Sequence, residues 1–315
     1  MATSGSKNFS VTRSDIINAA LKKIGAYDAG KTPGGAEDSD AAFALNVLIK
    51  EWAARGIDIW LRQEIILFLQ PDQQSYQLGL SASDHATSDT IGDTTLSSAL
   101  AASGTTVSLT STANFSNNDN IGIKLDDNSI HWTTITDVGA GTITTGPPSG
   151  ASAGNRVYAY TTKAHRPQKL LYLNRRSTSD IDTEMDMIGE NEYRLLSTKG
   201  SGGPPNQAWY KPTLATGTLF VWPVDGGKTV DKVVMQAQLL PDDFDVAGDD
   251  AEFPIEWANA LIFQLAHDLA PEYGVSEQAQ RRLFLVAEKK LNDLLDYDIE
   301  NASVRFALDG RAGLH

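Results

Sequence analysis

The stretch AAFALNVLIKEWAARG at residues 41–56 has the clearest helical pattern in the chain. Its apolar residues recur every three or four positions, which places them along one face of an α-helix. Gly56 closes the pattern, and glycine is a common residue just beyond a helix C-terminus. The sequence therefore predicts an amphipathic helix that ends near residue 56. The residues of its apolar stripe are Ala41, Leu45, Leu48, Ile49 and Trp52.

A second helix is predicted upstream of this one. Thr12 and Asp15 have the spacing of a capping box, and an apolar stripe follows them as far as about Tyr27. Glycine and proline residues at 30–35 then interrupt the helical pattern. We therefore expect two antiparallel helices here, followed by a β element at 65–78.

Two further helices are predicted towards the other end of the chain. Pro254 suits a first helical turn, an apolar stripe follows it, and Pro271 with Gly274 ends it. A longer amphipathic pattern runs from about 276 to 300. With two helices at each end, the sequence predicts a four-helix core. The predicted fold class is α+β, with central β structure and an inserted small β barrel or sandwich beside that core.

Residues 81–162 differ in composition from the rest of the chain. Of these 82 residues, 36 are Ser, Thr or Gly, and only two are Lys or Arg. Apolar and polar residues alternate at 121–125 and again at 130–134, which predicts a hairpin. The predicted domains are an N-terminal helical pair with a β lead-out at 1–80, an inserted β module at 81–162, a β segment with the C-terminal helical pair at 163–300, and a tail at 301–315.

The charge and composition exclude several classes of protein. The chain has 26 basic and 40 acidic residues, a net charge of −14. A field of that sign repels phosphates, which excludes a protein that wraps DNA tightly. The absence of cysteine excludes disulfides, thiolate zinc sites and cysteine nucleophiles. The polar N-terminus and the lack of a long apolar run predict a protein made in the cytoplasm, with no signal peptide and no membrane span.

No residue pattern indicates catalysis. His267 and Asp268 lack the second histidine one turn away that a zinc-binding helix needs. An acidic loop at 242–250 has Ala247 where an EF-hand calcium loop needs Asp or Asn. Acidic residues at 180–186 offer paired carboxylates of the kind a glycosidase uses, but only their separation in three dimensions decides that interpretation. We therefore predict no catalytic, cofactor-binding or metal-binding residue, no cofactor and no enzyme activity.

One basic run lies between residues 163 and 176, where there is no acidic residue. It fits either a contact with phosphates or an acidic neighbouring surface, or an exposed strand edge that its charges keep soluble. The residues of this predicted basic contact strand are Lys163, Arg166, Lys169, Arg175 and Arg176, with His165 between them.

Residues 45–64, LNVLIKEWAARGIDIWLRQE, resemble a signature of the head-to-tail adaptor proteins of short-tailed bacteriophages, the connectors similar to tail tubular protein A. In that family a Leu-Asn-x-x-Ile/Leu-Lys-x-Trp helix ends in Gly, and an aromatic-rich strand follows. Residues 121–160 are similar to a β module that recurs in structural proteins of such phages. The residues that match the signature are Leu45, Asn46, Lys50, Trp52, Gly56 and Trp60.

The resemblance implies a non-enzymatic virion protein of the phage neck. Such adaptors form a ring, usually of twelve copies, between the portal and the tail nozzle, and the ring retains the packaged DNA and lines the channel for its ejection. The implied partners are further copies of the chain, the portal protein, the tail nozzle, tail fibre or spike proteins, and double-stranded DNA in transit. A charge of −14 per copy suits a channel wall that does not hold phosphates.

The resemblance also implies where the contacts lie. A C-terminal extension of these adaptors commonly reaches into the portal, which assigns portal binding to the tail at 301–315. Arginine and aromatic residues are enriched in binding hot spots, so the expected anchors are Arg305, Phe306 and Leu308. We expect the outer faces of the helices at 36–55 and 277–300 to make the repeated contacts between copies in the ring.

Two other functions compete with this interpretation. The Ser/Thr-rich module, with Trp132, Tyr158 and Tyr160, could bind host carbohydrate as part of a tail spike or fibre. A cell-wall hydrolase would depend on Glu184 and Asp186 as its carboxylates.

Overall fold

The computed structural model describes residues 9–27, 30–55, 61–226, 230–250 and 253–297. The chain divides into two units. One unit contains the described residues that precede Leu61 together with those that follow Leu240, and the other is Leu61–Leu240.

The described part of the chain contains five helices and thirteen strands. The helices are α1 (Arg13–Lys23), α2 (Gly35–Ala54), α3 (Glu190–Leu195), α4 (Ala258–Leu269) and α5 (Glu277–Tyr297). The strands are β1 (Arg62–Phe68), β2 (Ser75–Leu78), β3 (Ala86–Thr87), β4 (Gly92–Thr95), β5 (Asn120–Lys124), β6 (Ile130–Asp137), β7 (Thr142–Ile143), β8 (Arg156–Tyr160), β9 (Lys169–Ser177), β10 (Asp182–Met187), β11 (Gln207–Pro212), β12 (Gly217–Trp222) and β13 (Val230–Gln238).

The first unit is helical, and α4 packs against α1, α2 and α5. Apolar residues of these four helices share one core, in which the rings of Trp52 and Trp257 meet edge to face at 5.9 Å between centroids. The capping box predicted for α1 is confirmed, because Thr12 and Asp15 each accept a hydrogen bond from the other's backbone N–H. The helix ends at Lys23, four residues before the predicted limit.

The second unit contains an eight-stranded sheet that curls into a nearly closed barrel. Its strand order is β2-β12-β11-β10-β9-β13-β1-β3. Neighbouring strands are antiparallel except β10 and β11, and β1 pairs with β13 along its whole length, from Arg62 opposite Gln238 to Phe68 opposite Lys232. One apolar core draws residues from strands that are far apart in the sequence, among them Ile65, Leu219 and Met235.

The second unit also contains a five-stranded sheet in the order β4-β8-β5-β6-β7. The hairpin predicted within 121–134 is confirmed as β5 and β6, with Ile121 opposite Thr133. We call this five-stranded sheet the module sheet. A separate apolar core lies beneath it. Among the residues of that core are Leu96, Ile123, Ile135 and Val157.

The predicted fold class, an α+β protein built on a four-helix core, is wrong. The protein is mostly β, with 26% helix and 29% strand, and its main features are two large sheets, one of them the nearly closed eight-stranded barrel. Periodicity identified individual helices and strands correctly, but it carries no information on which distant strands pair. The pairings of β1 with β13 and β2 with β12 create the barrel, and they join residues from both flanks of the module sheet.

Candidate functional site

A groove runs along the exposed side of α2 and encloses about 390 Å³. Its floor is apolar, with Ala44 and Leu48 beside the ring of Phe43 and the side chain of Val47. Phe43 is 73% exposed and Val47 is 51% exposed, and the two lie one helical turn apart, so they form a contiguous apolar surface. Four carboxylates surround this floor, and we call the whole feature the acidic groove. They are Asp40 and Glu51 of α2, Asp268 of α4, and Glu272 just beyond α4.

The electrostatics of the acidic groove favour a cation. Burial raises the pKa of Asp268, and the neighbouring charge of Glu51 raises it further, against the hydrogen bond from Gln264 and the charges of His267 and Arg55. A carboxyl whose pKa is raised in this way lacks sufficient positive charge around its ionised form. A cation placed in the acidic groove would lower that pKa and would be held by the same interaction.

A second exposed face lies on α5. Leu285 is 67% exposed and Phe284 lies beside it, also exposed. Three basic residues on the same face of α5 are also exposed, each three or four positions from Leu285: Arg281, Arg282 and Lys289. We call Arg281, Arg282, Leu285 and Lys289 the basic stripe. The basic stripe lies on α5 and most of the acidic groove lies on α2, the two helices expected from the sequence to make contacts between copies.

The predicted basic contact strand does not form one surface. Lys169, Arg175 and Arg176 lie on β9, which is an inner strand between β10 and β13, so the interpretation as a strand edge is wrong. Arg175 and Arg176 are consecutive in the strand and therefore point to opposite faces of the sheet. Arg176 makes two hydrogen bonds to Asp182, at 2.7 and 2.8 Å, and Arg175 donates to the Pro205 carbonyl at 2.8 Å.

Two further members of that run lie before β9. The Lys163 ammonium donates to the Ala82 carbonyl at 2.6 Å, and burial lowers the pKa of Lys163. Arg166 donates weakly to the Pro167 carbonyl at 3.4 Å. Most of the cations in the run are therefore used inside the second unit, and the role of the run in contacts with a partner stays a prediction.

The carboxylates at 180–186 have separate environments. Asp182 pairs with Arg176, and Asp180 pairs with Arg156 at 2.9 Å. Glu184 and Asp186 are exposed two residues apart on β10, on an open face of the sheet. The hydrolase interpretation of these two residues stays a prediction.

An ion cluster that the sequence analysis missed joins the module sheet to the barrel. Lys232 of β13 is almost completely buried, and its ammonium lies 2.8 Å from Asp93 and 3.4 Å from Asp180. Arg156 of β8 pairs with the same two carboxylates, and its hydrogen bond lowers the pKa of Asp180. The signal was present in the sequence, because a lysine within the apolar strand Val230–Gln238 needs an internal partner.

Two of the three aromatic residues proposed for carbohydrate binding are buried. Tyr158 and Tyr160 pack against Phe68 of the barrel. Trp132 is half-buried, the ring of His85 stacks parallel to its indole at 4.0 Å, and a Cβ added at Gly122 would lie 2.7 Å from the indole. The carbohydrate-binding alternative stays a prediction.

The histidine and acidic-loop candidates have structural roles. The ring of His267 packs against Phe284 at 5.4 Å between centroids. In the acidic loop, Asp249 accepts hydrogen bonds from two backbone N–H groups, and Asp243 pairs with Lys50 at 2.9 Å. Within the described ranges, no group of three or more His, Asp or Glu residues is placed to hold a metal ion.

The residues of the adaptor signature that the structure describes support the helical unit. Leu45 and Trp52 lie in its core. Asn46 exchanges two hydrogen bonds with the backbone of Phe244, and Lys50 donates to the Pro241 carbonyl. Gly56, Trp60 and the predicted tail anchors Arg305, Phe306 and Leu308 lie outside the described residues.

No family model matches this chain, and no curated protein matches it. Among the helices that the structure describes, none has both the length and the apolar character that crossing a bilayer requires.

Proposed function

We propose that this chain is a non-enzymatic structural protein of a bacteriophage virion, the head-to-tail adaptor between portal and tail nozzle. In this proposal, copies of the chain form a ring, of twelve by analogy with the family, which retains the packaged DNA and lines the channel during ejection. The protein is made in the host cytoplasm and ends in the neck of the particle. The proposal originates in the adaptor signature on α2, and one structural observation gives it most support.

That observation is the pair of exposed apolar faces on the helical unit. Phe43 and Val47 of α2 and Leu285 of α5 are largely exposed, although each lies in a regular helix with a buried face of its own. Large apolar side chains clustered on a surface indicate contacts with other proteins. Two such faces on one chain are what a ring subunit requires, because every copy in a ring contacts a neighbour on each side.

The charge is also suited to a DNA channel. A wall that neutralised phosphates would bind passing DNA through counterion release, and each contact would slow its movement. With a net charge of −14, each copy repels DNA on average. DNA in this proposal is cargo in transit, held back by the closed ring and not by base or phosphate contacts.

The proposal is tested by the mass of the purified full chain, measured by native mass spectrometry and analytical ultracentrifugation with and without the portal protein of the same phage. We expect a ring of defined copy number, or a monomer that forms such a ring on the portal. A chain that stays monomeric and does not bind the portal would contradict the proposal. Binding of host glycans by that monomer would instead favour the spike or fibre alternative.

A further inference from the structure

We propose that the acidic groove of one copy binds the basic stripe on α5 of a second copy. This inference rests on the proposed function, in which copies of the chain associate, and it specifies the two surfaces that meet. The groove is therefore occupied by a helix face of another copy, on which basic residues surround an apolar one.

Both faces carry exposed apolar side chains that can pack against each other. The acidic groove presents Phe43 and Val47 one helical turn apart, with Ala44 and Leu48 beneath them. The basic stripe presents Leu285, with Phe284 at its margin. An amphipathic helix that lays apolar side chains into a groove is a common mode of protein recognition.

The charges are complementary in sign and position. The groove carries four carboxylates, of which Glu51 also pairs with Arg55 of its own helix at 2.6 Å, and the stripe carries three cations around its leucine, with the half-buried Glu288 beside them. At 1.5 Å per residue, Asp40 and Glu51 lie about 16 Å apart along α2, and Arg281 and Lys289 lie about 12 Å apart along α5. The cations at the two ends of the stripe therefore fall within the span of the carboxylates.

The cations of the stripe are available for such a contact. Among the described residues, Arg281 lies 4.0 Å from Glu277 in an ion pair in which both side chains are more than 80% exposed. A pair that long and that exposed contributes little and is readily exchanged. Lys290 is not part of the stripe, because its ammonium lies over the ring of Phe263 at 5.1 Å.

The charges also restrict the symmetry of the assembly. A dimer that set groove against groove, or stripe against stripe, would bring like charges together across the interface, which is costly. When each copy binds one neighbour through its groove and another through its stripe, the contact is heterologous, and an open chain of copies keeps a free groove at one end and a free stripe at the other until a ring closes. A reciprocal dimer, in which each groove binds the stripe of the other copy, would contradict the ring of the proposed function.

Charge reversal on each face tests this contact. The groove variant carries Asp40→Lys and Glu51→Lys, and the stripe variant carries Arg281→Glu and Lys289→Glu. All four side chains are exposed, so both variants are expected to fold with the circular dichroism and melting temperature of the parent chain. A control carries Glu184→Lys and Lys211→Glu, one charge reversal of each sign at exposed positions on the barrel, with the net charge of the parent.

Each variant alone is expected to assemble about 100-fold more weakly than the parent, because its faces carry like charge. An equimolar mixture of the two is expected to assemble again, since each reversed face then meets its reversed complement and each unchanged face meets an unchanged one. The control is expected to assemble as the parent does. Sedimentation velocity of the full chains, with portal added where the parent needs it, gives all of these results.

Three results would overturn the inference. If both variants assemble like the parent, the ring uses other surfaces, and the proposed function stands without this contact. If the mixture fails to recover, the two faces do not meet each other. A parent chain that is monomeric with and without portal contradicts both the inference and the proposed function.

Discussion

At the scale of single residues, His85 shows how the packing of the module sheet changes the chemistry of a side chain. Its ring stacks on Trp132, and its Nδ1 lies 2.6 Å from the hydroxyl of Tyr160. Burial, with a smaller contribution from the charge of Lys163, lowers the pKa of His85 to about 3, and burial raises that of Tyr160. Tyr160 therefore stays protonated and shares this hydrogen bond with a neutral imidazole, and the tautomer of His85 decides which of the two groups donates.

This residue predicts a dependence of stability on pH. In the unfolded chain His85 gains a proton as the pH falls below its ordinary pKa of about 6.5, whereas in the native protein it stays neutral down to about pH 3. The free energy of unfolding is therefore expected to fall by up to about 1.4 kcal/mol per pH unit between pH 6 and pH 4 from this residue alone. Urea denaturation of the parent chain and of His85→Phe at pH 7, 6, 5 and 4 measures the difference.

The variant separates this effect from that of the carboxylates. His85→Phe keeps an aromatic ring against Trp132 but leaves the Tyr160 hydroxyl without this hydrogen-bond partner, which costs about 1–3 kcal/mol at every pH. Because the variant cannot take up the proton, its stability is expected to vary less with pH than that of the parent. Equal slopes in the two proteins would show that His85 is protonated in the native state.

At the scale of elements, Asn46, one of the residues that match the adaptor signature, connects α2 to the segment that follows the barrel. The side chain of Asn46 accepts from the Phe244 N–H at 2.9 Å and donates to its carbonyl at 3.3 Å. The ring of Phe244 is buried in the core of the helical unit. One amide side chain thus fixes the backbone that brings Phe244 into that core.

Removing this amide is expected to destabilise the helical unit. Asn46→Ala leaves the two backbone groups of Phe244 without partners, so we expect a loss of about 1–3 kcal/mol in the free energy of unfolding. Asn292→Ala, at an exposed position on α5, serves as the control and is expected to change stability by less than about 0.5 kcal/mol. Guanidinium denaturation compares them, and equal stabilities for both variants would contradict this role of Asn46.

At the scale of the whole molecule, the described residues form four apolar clusters. The four apolar clusters draw on residues from both flanks of the module sheet and on the module sheet itself. We therefore expect deletion of residues 301–315 to leave the melting temperature unchanged within about 2 °C. In the proposed function the same deletion abolishes binding to the portal, because it removes Arg305, Phe306 and Leu308. Normal portal binding by the shortened chain would contradict that assignment.

The sequence alone predicted those features that depend on neighbouring residues. The Thr12 capping box, the stripe of α2 and the hairpin of β5 and β6 follow from periods of 3.6 and 2 and from turn residues, which act over a few positions. Signals for the exposed faces were present too, since Phe43 and Val47 are apolar residues outside the stripe that α2 buries. Their significance is visible only once the buried side of the helix is known.

The tertiary structure decided everything that depends on distant pairing. The barrel exists because β1 lies beside β13 and β2 beside β12, and no local pattern encodes which strands meet. The same pairing buried Tyr158 and Tyr160, set Arg175 and Arg176 on an inner strand, and placed Lys232 between two carboxylates. Local periodicity records which face of an element avoids water, whereas the identity of the neighbour on that face depends on how the whole chain packs.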